Sequence, residues 1–262
     1  MNSIQNGISR EVRRAIENAA GLIRSAGKGV VLTGAGISTP SGIPDFRSRG
    51  SGLWERYNPM EVASLSAFRY QPEKFFAWFH PLAEKIFNAL PNPAHHALAI
   101  LEKAGYFHTI ITQNIDGLHQ RAGAKEVLEV HGTLQSLTCI GCFHQYPSDS
   151  YITNYVENGE TPRCPGCGQI LKPDIILYEE QLPRQIWQKA RQACYDCNII
   201  LVAGSSLEVI PVATLPLEAL DRNAHLIIIN QSSTYLDPRA KVIIRGDVAE
   251  ILPLISQEVL DD

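Results

Sequence analysis

The chain of 262 residues is 45% hydrophobic and 19% charged, which fits one large globular domain, or one with a small insert, and excludes a disordered tail. A formal charge of −4 argues against non-specific nucleic-acid binding as its main role, and no apolar run reaches the roughly 18 residues a bilayer span needs. The start, Met1-Asn2-Ser3-Ile4-Gln5-Asn6, has neither the basic nor the apolar part of a secretory signal, so a cytoplasmic, reducing setting is expected, with the six cysteines as metal ligands or free thiols.

Ile8, Val12, Ile16, Ala19 and Ile23 recur at helical spacing and predict a helix over 8–26 that stops at Gly27. Val30-Val31-Leu32 then reads as a buried strand ending in Gly34-Ala35-Gly36. Residues 45–90 are rich in aromatics and 136–170 hold four cysteines with few apolar runs; both are expected to be inserts that form a smaller domain. Five more β-branched runs begin near Thr109, Val127, Ile199, Leu226 and Val242, and helical stretches over 94–103, 185–194 and 212–220 precede several of them. Continuous apolar strands alternating with helices predict an α/β fold with a parallel sheet covered on both faces; an α+β fold is the alternative. The six runs exit into Gly34-Ala35-Gly36, Gln113-Asn114-Ile115-Asp116, His131-Gly132, Gly204-Ser205-Ser206, Asn230 and Gly246-Asp247. Ligands of open α/β sheets bind at the carboxyl ends of strands, so one shared site is expected there.

Gly34 and Gly36 fit two glycines of a dinucleotide fingerprint, but Thr39 stands where the third belongs. No acidic residue follows at the end of a second strand, which disfavours an ordinary nicotinamide dehydrogenase. Cys139-x2-Cys142 and Cys164-x2-Cys167, with Gly141, Pro165, Gly166 and Gly168 between and after, form two knuckles suited to a tetrahedral metal; four thiolates favour a closed, structural Zn²⁺, and a reactive dithiol is the alternative. Cys194 and Cys197 lack a second pair and read as buried thiols. Of the eight histidines, His131 stands out, because it lies at a strand end where a neutral imidazole could take a proton from a ligand hydroxyl. His119 and the remaining histidines read as surface or packing residues. Phe46, flanked by Asp45 and Arg47, lies on the exit side of the glycine turn.

The run from Gly34 through Asp45-Phe46-Arg47-Ser48, with Gly52-Leu53-Trp54 after it, resembles the first signature of the sirtuins, and Thr112-Gln113-Asn114-Ile115-Asp116-Gly117-Leu118-His119-Gln120-Arg121-Ala122-Gly123 resembles the second. Glu129-Val130-His131-Gly132, the cysteine quartet, Ala203-Gly204-Ser205-Ser206-Leu207-Glu208-Val209 and Ile228-Ile229-Asn230 follow in the same order as in that family.

The resemblance implies a Rossmann-like NAD-binding domain (1–44, 91–135 and 171–262) and a small domain made of a helical, cofactor-loop insert (45–90) and a zinc-ribbon insert (136–170). It implies NAD as co-substrate, one structural Zn²⁺, and removal of acyl groups, acetyl first among them, from protein or peptide lysines, giving nicotinamide, O-acyl-ADP-ribose and free lysine. ADP-ribosyl transfer or NAD hydrolysis on the same fold is the alternative. By the same resemblance His131, Asn114 and Asp116 are catalytic. Ala35, Gly36, Thr39, Asp45, Phe46, Arg47, Gln113, Ile115, Gly204, Ser205, Ser206, Asn230, Asp247 and Val248 complete the cofactor set, and Ile176, Tyr178, Glu179 and Val209 meet the peptide. Neither a nucleic acid nor a membrane is an expected partner. Two departures bear on substrate choice. Tyr178-Glu179-Glu180 replaces the common Phe-Gly-Glu, and Phe79 and Leu82 stand where sirtuins that prefer acidic acyl groups carry Tyr and Arg.

Overall fold

A computed structural model of the chain describes residues 9–46, 50 and 52–261. Helix α1 (Arg10–Ala26) begins where the Ser9 hydroxyl accepts the Val12 amide and ends at Gly27, whose φ of 70° closes the helix in the left-handed region. It leads into β1 (Gly29–Thr33) and two 3-10 turns, Ala35–Ile37 and Thr39–Ser41. The aromatic segment folds as α2 (Pro59–Val62), α3 (Leu65–Tyr70) and α4 (Pro72–Asn88). Then follow α5 (Pro93–Lys103), β2 (Phe107–Thr112), α6 (Leu118–Arg121), β3 (Val127–Glu129), β4 (Gly132–Cys139), β5 (Gln145–Pro147), α7 (Asp149–Asn158) and β6 (Leu171–Ile175). The chain closes with α8 (Arg184–Asp196), β7 (Ile199–Ala203), α9 (Leu215–Leu220), β8 (His225–Ile229), β9 (Val242–Ile244) and α10 (Val248–Leu260). No described helix is long and apolar enough to cross a membrane.

Six strands form one parallel sheet in the order β3-β2-β1-β7-β8-β9. The chain builds outward from β1 in one direction and then from β7 in the other, so the strand order reverses between β1 and β7. A crevice opens at such a reversal, at the carboxyl ends of the strands. Every residue of β1 and β7 is buried. Val31 packs in the cluster that α1, α5 and α10 cover, while Val30 and Leu32 pack in the one that α8 and α9 cover. That alternation is the two-residue period of a strand, and both phases are apolar because both faces are covered. Cutting Leu32 to Ala would leave a cavity costing about 2–5 kcal/mol.

The second sheet is antiparallel, β5-β4-β6, and runs past the segment 136–170 at both ends, to Gly132 and to Ile175. Beside it Phe68 of α3 and Phe75, Phe76, Phe79, Leu82 and Ile86 of α4 build a separate cluster with Tyr155 of α7. The rings of Phe68, Phe75 and Phe76 meet edge to face at 5.1–5.9 Å, a favoured arrangement for aromatic pairs.

Candidate functional site

A cavity of about 1040 Å³ lies at the carboxyl ends of the parallel strands, between the main sheet and the helical segment. Its lining includes Ala35, Gly36, Thr39, Asp45, Phe46, Gln113, Asn114, Ile115, Asp116, His131, Gly204, Ser205, Ser206, Asn230 and Val248, together with Ile176, Tyr178, Glu179 and Val209. Asp247 is not part of the lining; its carboxylate caps α10 by accepting the Ala249 amide. Arg47 lies outside the described residues.

The floor of the cavity is a set of linked hydrogen bonds. The Gln113 amide donates to Thr33 O (3.0 Å), and the Gln113 side chain donates to the Ser205 hydroxyl (2.9 Å), joining the exits of β1, β2 and β7. The buried Asn114 side chain donates to Gly34 O (3.1 Å) and to the Ser38 hydroxyl (3.0 Å). The Ser38 hydroxyl donates to Asp116 Oδ2 (2.7 Å), and Asp116 Oδ1 accepts the Leu118 amide (2.9 Å), which ties the carboxylate to the start of α6. Burial pushes the Asp116 carboxyl above its ordinary range, against the pull of these hydrogen bonds. Sequence reasoning gave Ser38 no role of its own. It is the hinge between Asn114 and Asp116, and only the fold brings it to them.

The glycine turn serves the protein itself as well as any ligand. A Cβ on Gly36 would stand 2.8 Å from Gly204 O, and one on Gly204 would stand 2.4 Å from the Ile37 amide, so the exits of β1 and β7 cross in contact. The Gly36 amide donates to Gly204 O (2.9 Å) and is therefore committed within the protein.

His131 Nδ1 lies 3.1 Å from Gln113 O. A carbonyl only accepts, so Nδ1 carries the hydrogen and Nε2 the lone pair, the tautomer of a proton acceptor. The His131 carbonyl takes the Ile176 amide (2.8 Å), and Gly132, at φ 79°, packs so tightly on β6 that a Cβ would stand 2.1 Å from Asp174 O. The sequence His-Gly thus clamps the imidazole where the two sheets meet.

Phe46 begins an aromatic wall. Its ring lies 5.1 Å from Trp54, which stacks on Trp78 at 5.7 Å and meets Tyr178 edge-on at 6.1 Å. Trp54 donates its amide to Phe46 O and Leu53 donates its amide to Asp45 O. Tyr178 pairs with the loop before α3: its amide donates to Ala63 O (3.0 Å) and its carbonyl accepts the Leu65 amide (2.9 Å). Glu179 holds φ 72°, the conformation a glycine would favour there. Its carboxylate accepts the Ser66 amide (2.9 Å) in the first turn of α3, and the Ser66 hydroxyl, then that amide, hold the carboxyl below its ordinary range.

The four thiols Cys139, Cys142, Cys164 and Cys167 bring their sulfurs within 4.8 Å of one another. The pairs Cys139–Cys167 and Cys142–Cys164 stand 3.4 and 3.7 Å apart. Zn–S bonds of about 2.3 Å in a tetrahedron place sulfurs roughly 3.8 Å apart, so the quartet fits one zinc ion. The amides of Gly141 and Cys142 point at Cys139 Sγ (both 3.4 Å), as a thiolate requires. Cys194 and Cys197 are buried elsewhere, Cys197 one residue past the end of α8, and burial raises both thiols well above the ordinary range.

Residues 34–211 match the Sir2 family, the sirtuins. The chain is 43% identical over 245 residues to NAD-dependent protein deacylase 2 of Archaeoglobus fulgidus, covering 93% of this chain and 96% of that protein. Among solved structures it superposes with a TM-score of 0.86 on a Sir2 homologue in complex with NAD, at 38% identity and 94% coverage of each chain. It also superposes with a TM-score of 0.87 on a Sir2 protein with a deacetylated p53 peptide and 3′-O-acetyl-ADP-ribose, at 35% identity over 93% of this chain and 98% of that one. With the signatures in place around one cavity, a cysteine quartet that fits zinc and this likeness along nearly the whole chain, the protein belongs to the Sir2 family.

Proposed function

We propose that the protein is an NAD-dependent protein-lysine deacylase, with acetyl the first of its acyl groups. The observation that carries this reading is the joining of Gln113, Asn114, Asp116 and His131 in one cavity, in a family whose relatives are named for that activity. NAD supplies the ribosyl group that receives the acyl group. Asn114 and Asp116, held by Ser38, stand at the exit of β2, where they would hold the nicotinamide end. Ser205, Ser206, Asn230 and Val248 line the part built from β7, β8 and α10, suited to the adenosine half. Ala35 and Thr39 remain for the pyrophosphate side, while Asp247 holds α10 in place. His131, with its lone pair on Nε2, takes a proton from a sugar hydroxyl; Gln113 O fixes the ring. The wall of Phe46, Trp54 and Trp78 keeps water from the reacting centre, so the acyl acceptor is the sugar rather than solvent. An acylated peptide lies as an added strand near Ile176, Glu179 and Val209. The zinc braces the small antiparallel sheet and, being closed by four thiolates, has no open position for chemistry. A division into an NAD-binding part and a smaller part at the inserts goes with this reading, as does a reducing, cytoplasmic setting.

The test is His131→Ala. Deacylation should fall by at least about a hundredfold while NAD binding persists within a few fold. A variant that keeps more than a tenth of wild-type kcat/KM would remove His131 from the role given to it.

A further inference from the structure

Two buried histidines stand behind the cavity floor and have no part in the chemistry above. His95, in the first turn of α5, and His119, in α6, are 0% and 1% exposed, and their ring centroids are 4.9 Å apart. His95 Nε2 and His119 Nδ1 have no hydrogen-bond partner among the described residues. Their remaining nitrogens are engaged. His95 Nδ1 accepts the Asn92 amide (3.3 Å), completing the capping box of α5, so Nε2 carries the hydrogen. His119 Nε2 stands 2.9 Å from the Thr33 hydroxyl, which stands 2.9 Å from the Thr112 hydroxyl; Thr112 Oγ1 in turn accepts the Asn114 amide (3.1 Å).

The Thr33 hydroxyl donates to Thr112 Oγ1, which spends its one hydrogen. Its contact with His119 therefore needs a hydrogen on Nε2, and a neutral His119 keeps its lone pair on Nδ1. His119 Nε2 then donates to Thr33, Thr33 donates to Thr112, and Thr112 keeps a lone pair toward the Asn114 amide. The cap of α5 holds the opposite loop as well: the Asn92 side chain donates to Ile37 O (2.8 Å) and to the Ser41 hydroxyl (2.9 Å), in the turns that follow Gly34.

We propose that His119 is a positioning residue for the deacylation reaction: the one-way chain His119–Thr33–Thr112 fixes the Asn114 backbone, while the Asn92 cap of α5 braces the turns after Gly34 on the other side of the cavity floor. Burial holds His119 down to about 3 and His95 to about 4, so both rings stay neutral at working pH and the chain keeps its direction. The proposal rests on the deacylase reading for its kinetic consequence and on nothing but the fold for its proton positions.

Two measurements test these parts separately. Nitrogen NMR of ¹⁵N-histidine protein should show His95 and His119 as neutral Nε2–H tautomers at pH 7 and still at pH 5.5; a Nδ1–H tautomer for either ring, or a charged ring at pH 5.5, overturns the proposal whether or not the protein turns over. In kinetics, Thr33→Val removes the central hydroxyl at nearly constant shape, and His119→Phe removes the donor. Each should lower kcat at least tenfold with the acyl-peptide KM within twofold, and the double variant should be no worse than the worse single one. His119→Gln, which keeps an N–H donor, should recover to within threefold of wild type. If a substitution at His119 prevents folding, Thr33→Val decides alone: a folded, zinc-replete Thr33→Val protein with kcat within twofold of wild type overturns the proposal. Losses that multiply in the double variant do so as well. An inactive wild type would instead count against the deacylase reading.

Discussion

On one peptide sequence, acetyl-lysine should be processed at least tenfold better than succinyl-lysine in kcat/KM. Phe79 and Leu82 line the cavity from α4 and are 0% and 5% exposed, with Ile43 and Ile86 of the same apolar cluster beside them in the lining. The lining holds the carboxyl groups of Asp45, Asp116, Glu179, Glu180 and Glu208, but among its described residues only one arginine, Arg184. That arginine opens α8, whose cavity residue Trp187 packs with the other face of the main sheet rather than with α4. Among the described residues, a succinyl carboxylate would therefore enter an apolar pocket at α4 without a cationic partner. Burying such a charge costs several kcal/mol, and about 1.4 kcal/mol already accounts for a factor of ten. A longer apolar acyl group gains about 0.8 kcal/mol, roughly fourfold, for each CH₂ buried, so butyryl-lysine should match or exceed acetyl-lysine. Phe79→Tyr combined with Leu82→Arg should raise succinyl turnover at least tenfold and lower acetyl turnover. Side-by-side initial rates on acetyl, butyryl and succinyl versions of one peptide provide the assay. Equal or better turnover of the succinyl peptide by the wild type would refute the assignment of Phe79 and Leu82 to the acyl end.

Replacing any of Cys139, Cys142, Cys164 or Cys167 by Ser should release zinc and lower the melting temperature, because thiolate ligation is coupled to folding, whereas Cys194→Ser and Cys197→Ser should keep one zinc per chain by metal analysis. Glu129, with Oε1 lacking a partner among the described residues, is pushed up to about 7 mainly by burial. The folded state therefore binds its proton more tightly than the unfolded one, and stability is lost as pH rises from about 4.5 to about 7, by up to about 3 kcal/mol. Glu129→Gln should gain stability relative to wild type between pH 5 and pH 8 in urea denaturation; a difference that stays flat or narrows would contradict this.

What the sequence disclosed, and what it hid, follows from which interactions are local. Val30-Val31-Leu32 and Ile199-Ile200-Leu201-Val202 announced buried parallel strands because both their faces are covered, and a continuous apolar run has few other uses. The cysteine knuckles were legible for the same local reason, since their spacing is set by the metal. The pairing of β4 with β6 was not. Lys172-Pro173-Asp174 lies inside β6, where Lys172 pairs with Glu180 (2.9 Å) and the Asp174 carboxylate accepts Thr138 of β4 (2.6 Å) and Gln145 of β5 (2.6 Å). The commitment of the Gly36 amide to Gly204, 168 positions along, was equally hidden, as was the meeting of His95 with His119. Glu179 looked like a loss of glycine's freedom. The structure shows that it keeps the left-handed backbone and places its charge on the start of α3.

The account's central claim is that acyl removal and NAD cleavage are one reaction in this cavity. Incubating the purified protein with NAD and an acetyl-lysine peptide, and following all species by mass spectrometry, tests it most directly. The account predicts nicotinamide, deacetylated peptide and O-acetyl-ADP-ribose in equal amounts, with nicotinamide release dependent on the acetylated peptide. Nicotinamide released at the same rate without peptide, ADP-ribose attached to the peptide, or no release at all would contradict it.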